Sequence, residues 1–195
     1  MKKLALILLL LCTIKATAQE FDAAKLDSFF DLLSAGNKTM GSFAIAKEGK
    51  IIYQRAIGLS NINDGVAIRA NHKTLYRIGS VTKTFTAAMV FQLIDEGRLS
   101  LDTKLAVYYP DIPNASKITI EMLLNHRNGL HDFVNDGDTN WIKDQHTKAE
   151  LLANIAANEP HFTPGEKEEY SNSGYLLLAY IIEDITGKSY NDNLQ

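Results

Sequence analysis

The chain has 195 residues, 46% of them hydrophobic and 22% charged, with a formal charge of -3. That is enough apolar material for one domain or two small lobes and too much for a disordered chain. A mildly acidic balance argues against a nucleic-acid partner, which rewards a basic face. The single cysteine, Cys12, excludes an internal disulfide framework.

The first residues, MKKLALILLLLCTIKATAQE, carry Lys2 and Lys3, an apolar run from Leu4 to Cys12, and Ala16-Thr17-Ala18 as a small-residue cleavage site. This describes a secretory signal peptide over 1–18, cleaved after Ala18, with the rest, 19–195, exported to a periplasm or secreted. The apolar run is far short of the roughly 20 residues that span a bilayer, which argues against a stable membrane span. Leu11 stands where a lipoprotein signal wants a small residue, which argues against lipidation at Cys12. Cleavage removes Lys2, Lys3 and Lys15 and takes the formal charge from -3 to -6.

In FDAAKLDSFFDLLSAG, Leu26, Phe29, Phe30 and Leu33 fall at helical spacing, and Gly36 is placed to end an amphipathic helix. SFAIAK and KIIYQRAIG, joined by Glu48-Gly49, read as a β-hairpin. SVTKTFTAAMVFQLIDEG reads as a buried helix closed by Gly97, with Ser80 in or just before its first turn. A loop punctuated by Pro110 and Pro113 leads to ITIEMLLNH, a short helix capped by Thr119 and expected to stop at Asn128-Gly129. TKAELLANIAAN carries a Thr147/Glu150 capping box, and Pro160 ends it. FTPGEKEEYSN is a loop, its charges those of a solvated segment, and SGYLLLAYIIEDITG is an apolar helix ended by Gly187. The last eight residues suggest no element. Two strands followed only by helices imply an α+β plan with helices segregated from an antiparallel sheet.

Ser80 precedes Lys83 by three residues. On a helix that spacing shares one face, so the lysine can reach back to the hydroxyl. A serine is a weak nucleophile until a neighbour takes its proton. A lysine does so only when desolvation or the positive end of a helix dipole brings its pKa down from about 10.4. The same helix start offers the Ser80 N–H to an oxyanion. Tyr170-Ser171-Asn172 adds a phenol, which can relay a proton, and a carboxamide, which can hold a substrate amide. Each pattern alone arises easily by chance.

Together with FAIAKEGKIIYQRAIG, YRIGSVTKTFTAAMVFQLIDEGRLSLD, ITIEMLLNHRNGL and FTPGEKEEYSNSGYLLLAYIIEDITGKSY, these residues resemble the serine hydrolases of the β-lactamase and penicillin-binding-protein fold. The resembling branch contains class C β-lactamases, D-alanyl-D-alanine carboxypeptidases and related esterases. The resemblance runs from about Phe21 to Gln195 and implies an antiparallel sheet with flanking helices plus a helical subdomain. It further implies that Ser80 forms an acyl-enzyme, that Lys83 and Tyr170 share the general-base work, and that Asn172 binds the acyl-side amide and helps orient Lys83. The substrate would be a small molecule or peptide: a β-lactam, a D-Ala-D-Ala peptide or a small ester. No cofactor or metal is implied.

The pattern's third motif, Lys-Thr-Gly or His-x-Gly on a later strand that also carries the second oxyanion donor, has no counterpart before Gln195. The chain is therefore expected to be a C-terminally truncated piece, without the later sheet strands, and by itself neither a stable monomer nor an active hydrolase. Arg127-Asn128 replaces the usual Thr-Ser, and Ala179 a common glycine, which reads as loop and packing variation. An α/β-hydrolase would need Gly-x-Ser-x-Gly, which is absent. His126 with His131, or His146 with His161, lacks the spacing of a metal site and reads as loop and capping histidine. Trp141 reads as a packing anchor for its loop rather than a ligand platform. A sensor or pseudoenzyme that is acylated without turnover stays open as an alternative.

Overall fold

The computed structural model describes residues 21–61, 67–135 and 144–195; the signal-peptide reading of 1–18 and the packing role of Trp141 lie outside them. The chain divides into two compact units, the boundary falling between Arg77 and Ile78.

In the first unit, Asp22 caps helix α1 (Ala23–Ala35) by accepting the Lys25 N–H at 3.1 Å. Strands β1 (Gly41–Lys47) and β2 (Lys50–Ile57) pair antiparallel as the alternating run implies. Glu48 and Gly49 between them both have positive φ, 51° and 74°, the mirror-image turn whose twist suits a hairpin. Phe30 is buried with Tyr53 and Ile57, its ring 4.4 Å from that of Phe43. Tyr53 donates to Asp27 at 2.9 Å, and Arg55 reaches both Asp27 and Asp31, so polar bonds fix α1 along β2 beside the apolar contact. Phe29 remains 53% exposed, so the Phe29/Phe30 stripe is only half covered. A second small antiparallel pair, β3 (Leu59–Asn61) with β4 (Ile68–Arg69), corrects the two-strand expectation; neither run is long enough to show a period of two.

In the second unit, Gly79–Val81 forms one turn of 3-10 helix that leads into α2 (Thr82–Asp95). This helix buries Thr86, Met89, Val90 and Leu93 while Phe85 and Phe91 are exposed, so only one face is covered, against the expectation of a buried helix. Thr119 caps α3 (Ile120–Leu124) through the Met122 N–H. The helix ends before the expected Asn128 because His126 enters the left-handed region, φ 60°, and turns the chain. The Thr147/Glu150 capping box opens α4 (Lys148–Ala157). Ser171 caps α5 (Asn172–Thr186), which Gly187 closes with φ 70°.

Leu177, Leu178, Ile181 and Ile182 of α5 are fully buried among α2, α3 and Leu105, Ile112 and Ile118. At about 1.5–3 kcal/mol each, they make α5 the centre of this core. A short helix, α6 (Tyr190–Asn193), capped by Ser189, occupies the tail for which the sequence suggested no element. Gly174 lies so close to the segment that follows α3 that an added Cβ would stand 2.7 Å from Asn128 Nδ2. Asn128 is buried; its Oδ1 accepts the Leu130 N–H, and its Nδ2 has no partner among the described residues. No helix among the described residues is long and apolar enough to cross a membrane.

Candidate active site

The chain reversal at His126 runs residues 126–129 alongside the loop before α5. Glu169 N–H bonds to His126 O at 2.9 Å, Gly165 N–H to Arg127 O at 2.8 Å, and His161 N–H to Gly129 O at 2.9 Å. Arg127 adds a side-chain bond to Gly165 O. These bonds bring Tyr170 to the start of α2, where Ser80 already stands.

The four residues singled out in the sequence come together. Tyr170 Oη donates to Ser80 Oγ at 2.6 Å, and Lys83 Nζ lies 3.5 Å from the same oxygen. Lys83 Nζ donates to Asn172 Oδ1 at 2.8 Å and sits 4.7 Å from the centre of the Tyr170 ring. Lys83, and after it Ser80, hold the Tyr170 phenol below its ordinary pKa, because each can donate a hydrogen bond to the phenolate once the proton has left. Serine, lysine and phenol are therefore joined in one hydrogen-bonded cluster, the arrangement through which a proton can pass.

Three neighbours were not legible as part of this cluster. The His126 ring lies tilted against those of Tyr170 and Tyr175, centres 4.7 Å and 5.1 Å away, and its Nδ1 accepts the Ser171 N–H at 3.2 Å. Burial, and then the Lys83 charge, press its pKa down, in keeping with a neutral acceptor. Asp132 is buried against Asn172, accepting from both its backbone N–H and its Nδ2 at 3.0 Å. Tyr175 donates to Leu124 O at 2.9 Å and offers its ring to Lys83 at 5.6 Å. Chain order separates His126 and Asp132 from Ser80 by too much for a motif to connect them; the adjacency of Asp132 to the Gly129-Leu130 turn is the one hint the sequence holds.

His131 and His161 share a hydrogen bond of 3.3 Å, and His161 pairs with Glu169 at 2.7 Å, so both serve the loop. No group of His, Cys, Asp and Glu among the described residues is arranged to hold a metal ion. Beside Ser80 opens a cavity of about 400 Å³ whose lining, apart from Ser80, Lys83 and Asn172, includes Phe133, Tyr175, Leu176 and Tyr190. Its size and mixed lining suit a small ligand presenting an apolar group beside a reactive polar one.

Comparison with known proteins matches the Beta-lactamase family model over residues 26–195. Penicillin-binding protein 4* of Bacillus subtilis is 31% identical over 170 residues, covering 86% of this chain and 37% of the relative. The octameric penicillin-binding protein homologue of Pyrococcus abyssi superposes with a TM-score of 0.73 at 30% identity, over 89% of this chain and 41% of that one. The D-amino acid amidase of Ochrobactrum anthropi SV3 does so with a TM-score of 0.69 at 27% identity, over 88% of this chain and 50% of that one. The chain thus spans between about a third and a half of the length of these relatives. The match of family model, fold and covered residues agrees with the resemblance of the four sequence blocks, and the chain belongs to the Beta-lactamase family.

Proposed function

We propose that this chain carries the nucleophile half of an exported serine hydrolase that works through an acyl-enzyme. The observation that carries the reading is the placement of Ser80 Oγ 2.6 Å from the Tyr170 phenol and 3.5 Å from the Lys83 ammonium, at the mouth of a cavity. Ser80 Oγ attacks the carbonyl carbon of an amide or ester. Its proton passes to the Tyr170 phenolate or the neutral Lys83 amine, and the same pair returns a proton to the departing nitrogen or oxygen as the acyl C–N or C–O bond breaks. Water then attacks the ester and frees Ser80. Asn172 contacts the acyl-side amide, and the Ser80 N–H at the start of α2 faces the developing oxyanion. β-Lactams, D-Ala-D-Ala peptides and small esters fit this chemistry, and relatives named as penicillin-binding proteins and as a D-amino acid amidase support the amide class.

Residues 19–195 by themselves are proposed to be a poor catalyst, because no Lys-Thr-Gly or His-x-Gly lies among them to bring a second oxyanion donor. Loss of one such donor costs about 10²- to 10³-fold. The test of the reading is to label the full-length protein with a fluorescent penicillin or a fluorophosphonate and map the modified peptide. Label on Ser80, abolished in Ser80→Ala, is expected; label elsewhere would overturn the mechanism. Turnover of a chromogenic cephalosporin or a p-nitrophenyl ester after the initial burst separates a hydrolase from a sensor that is acylated and stops. Sequencing the mature N-terminus tests cleavage after Ala18.

A further inference from the structure

Asp132 lies outside every motif that marks the site, yet it is only 3% exposed and accepts hydrogen bonds on both carboxylate oxygens. Oδ1 takes the Val134 N–H at 3.1 Å; Oδ2 takes the Asn172 N–H and Asn172 Nδ2, each at 3.0 Å. Its flanks are clamped to α5 as well, since Ser173 Oγ donates to His131 O at 2.7 Å and accepts the Phe133 N–H at 3.2 Å.

The backbone bond alone would make Asp132 a second cap for α5, a helix already capped by Ser171 Oγ on the Gly174 N–H at 3.1 Å. The bond to Nδ2 contributes nothing to the helix. Its effect is on the amide. A carboxylate only accepts and an ammonium only donates, so Asn172 has one acceptable orientation between them, NH₂ toward Asp132 and oxygen toward Lys83. Flipped, the amide would set oxygen against carboxylate and NH₂ against ammonium. Without Asp132 only the Lys83 contact still favours this orientation, and the acceptor 2.8 Å away that holds Lys83 beside Ser80 is no longer fixed from behind.

We propose that Asp132 is a positioning residue for acylation, fixing the orientation of the Asn172 amide so that Asn172 Oδ1 holds Lys83 Nζ within reach of Ser80 Oγ. The inference rests on the acyl-enzyme reading given above. In the full-length protein, Asp132→Leu, which keeps the branched heavy-atom skeleton and removes both acceptors, slows Ser80 labelling by fluorescent penicillin about 10²-fold, the scale of a misplaced catalytic group. Asp132→Asn retains one oxygen for the Asn172 pair and loses about 10-fold, short of the 10²-fold of full misplacement. Both costs shrink to less than about 3-fold when measured in an Asn172→Ala background, because residues that act in series couple strongly.

Equal costs in the two backgrounds would make Asp132 a structural cap and overturn the inference while leaving the acyl-enzyme reading intact. Wild-type protein that takes no label at Ser80 would overturn both. Should the leucine variant fail to unfold cooperatively in urea, the same cycle run with Asp132→Asn decides the matter.

Discussion

Two glycines in the helical unit separate backbone strain from collision. Gly97 and Gly129 have almost the same φ, 69° and 71°, so alanine at either position bears the left-handed penalty of about 1–2 kcal/mol. At Gly97 the new Cβ meets nothing within 4 Å. At Gly129 it would stand 2.2 Å from the carbonyl oxygen of Phe162, a backbone atom that cannot rotate away. Forcing that overlap adds about 1–3 kcal/mol, for a total near 2–5 kcal/mol against a typical margin of about 5–15 kcal/mol. The displaced segment is the one that aligns residues 161–169 with 126–129 and so delivers Tyr170 to Ser80. A shift of about 1 Å there costs about 10²-fold in rate. Urea unfolding of Gly97→Ala and Gly129→Ala in the full-length protein, with Ser80 labelling rates for each, reads both effects. Gly97→Ala is expected to lose a little stability and no rate, Gly129→Ala to lose more of the first and most of the second. Equal midpoints, or wild-type labelling in Gly129→Ala, would refute the claim that this contact holds the loop in register.

Lys83→Ala and Tyr170→Phe are each expected to slow Ser80 labelling by about 10²- to 10⁴-fold, the usual weight of a general base. Lys83→Arg does not rescue the rate, because guanidinium keeps its proton at any working pH; labelling near the wild-type rate in that variant would remove the base role. Tyr170 is expected to titrate below the ordinary phenol value near 10, and to move up in Lys83→Met because the cation that favours the phenolate is gone. An ultraviolet difference titration against Tyr170→Phe measures this without any substrate, and an unchanged value in Lys83→Met would count against the cluster. Phe30→Ala empties the small core between α1 and the hairpin and is expected to cost about 3–5 kcal/mol, whereas Phe29→Ala, half exposed, costs well under that; paired denaturation curves check the difference.

Most elements were legible because their signals are local. Glu48-Gly49 sets the hairpin, Thr119 and Thr147 accept N–H groups of the helices they precede, and Gly187 turns left-handed where α5 ends. The pairing of β3 with β4 was not legible, since two or three residues carry no period and their register depends on the partner. α6 was missed because only Ser189, accepting from Asp192, marks its start. Within the site, Ser80 and Lys83 lie on adjoining turns and could be read as a pair, while Tyr170 and Asn172 could be joined to them only through the resemblance. His126 and Asp132 act by contacts across more than thirty positions, from Asp132 to Asn172 and from His126 to Ser171, and such contacts leave no spacing to read.

The buried Asn128 also constrains the order in which this protein can change. Its Nδ2 has no partner among the described residues, a burden of about 1–3 kcal/mol, and it occupies the space that any side chain at Gly174 would need. A serine at 128 would keep an acceptor for the Leu130 N–H while withdrawing the idle NH₂, and alanine at 174 would then gain up to about 1 kcal/mol as a better helix former than glycine. Taken in the opposite order, alanine first collides with the amide at 2.7 Å. The two positions are epistatic, and a lineage can reach the more stable pair through serine at 128 but meets a barrier by way of alanine at 174.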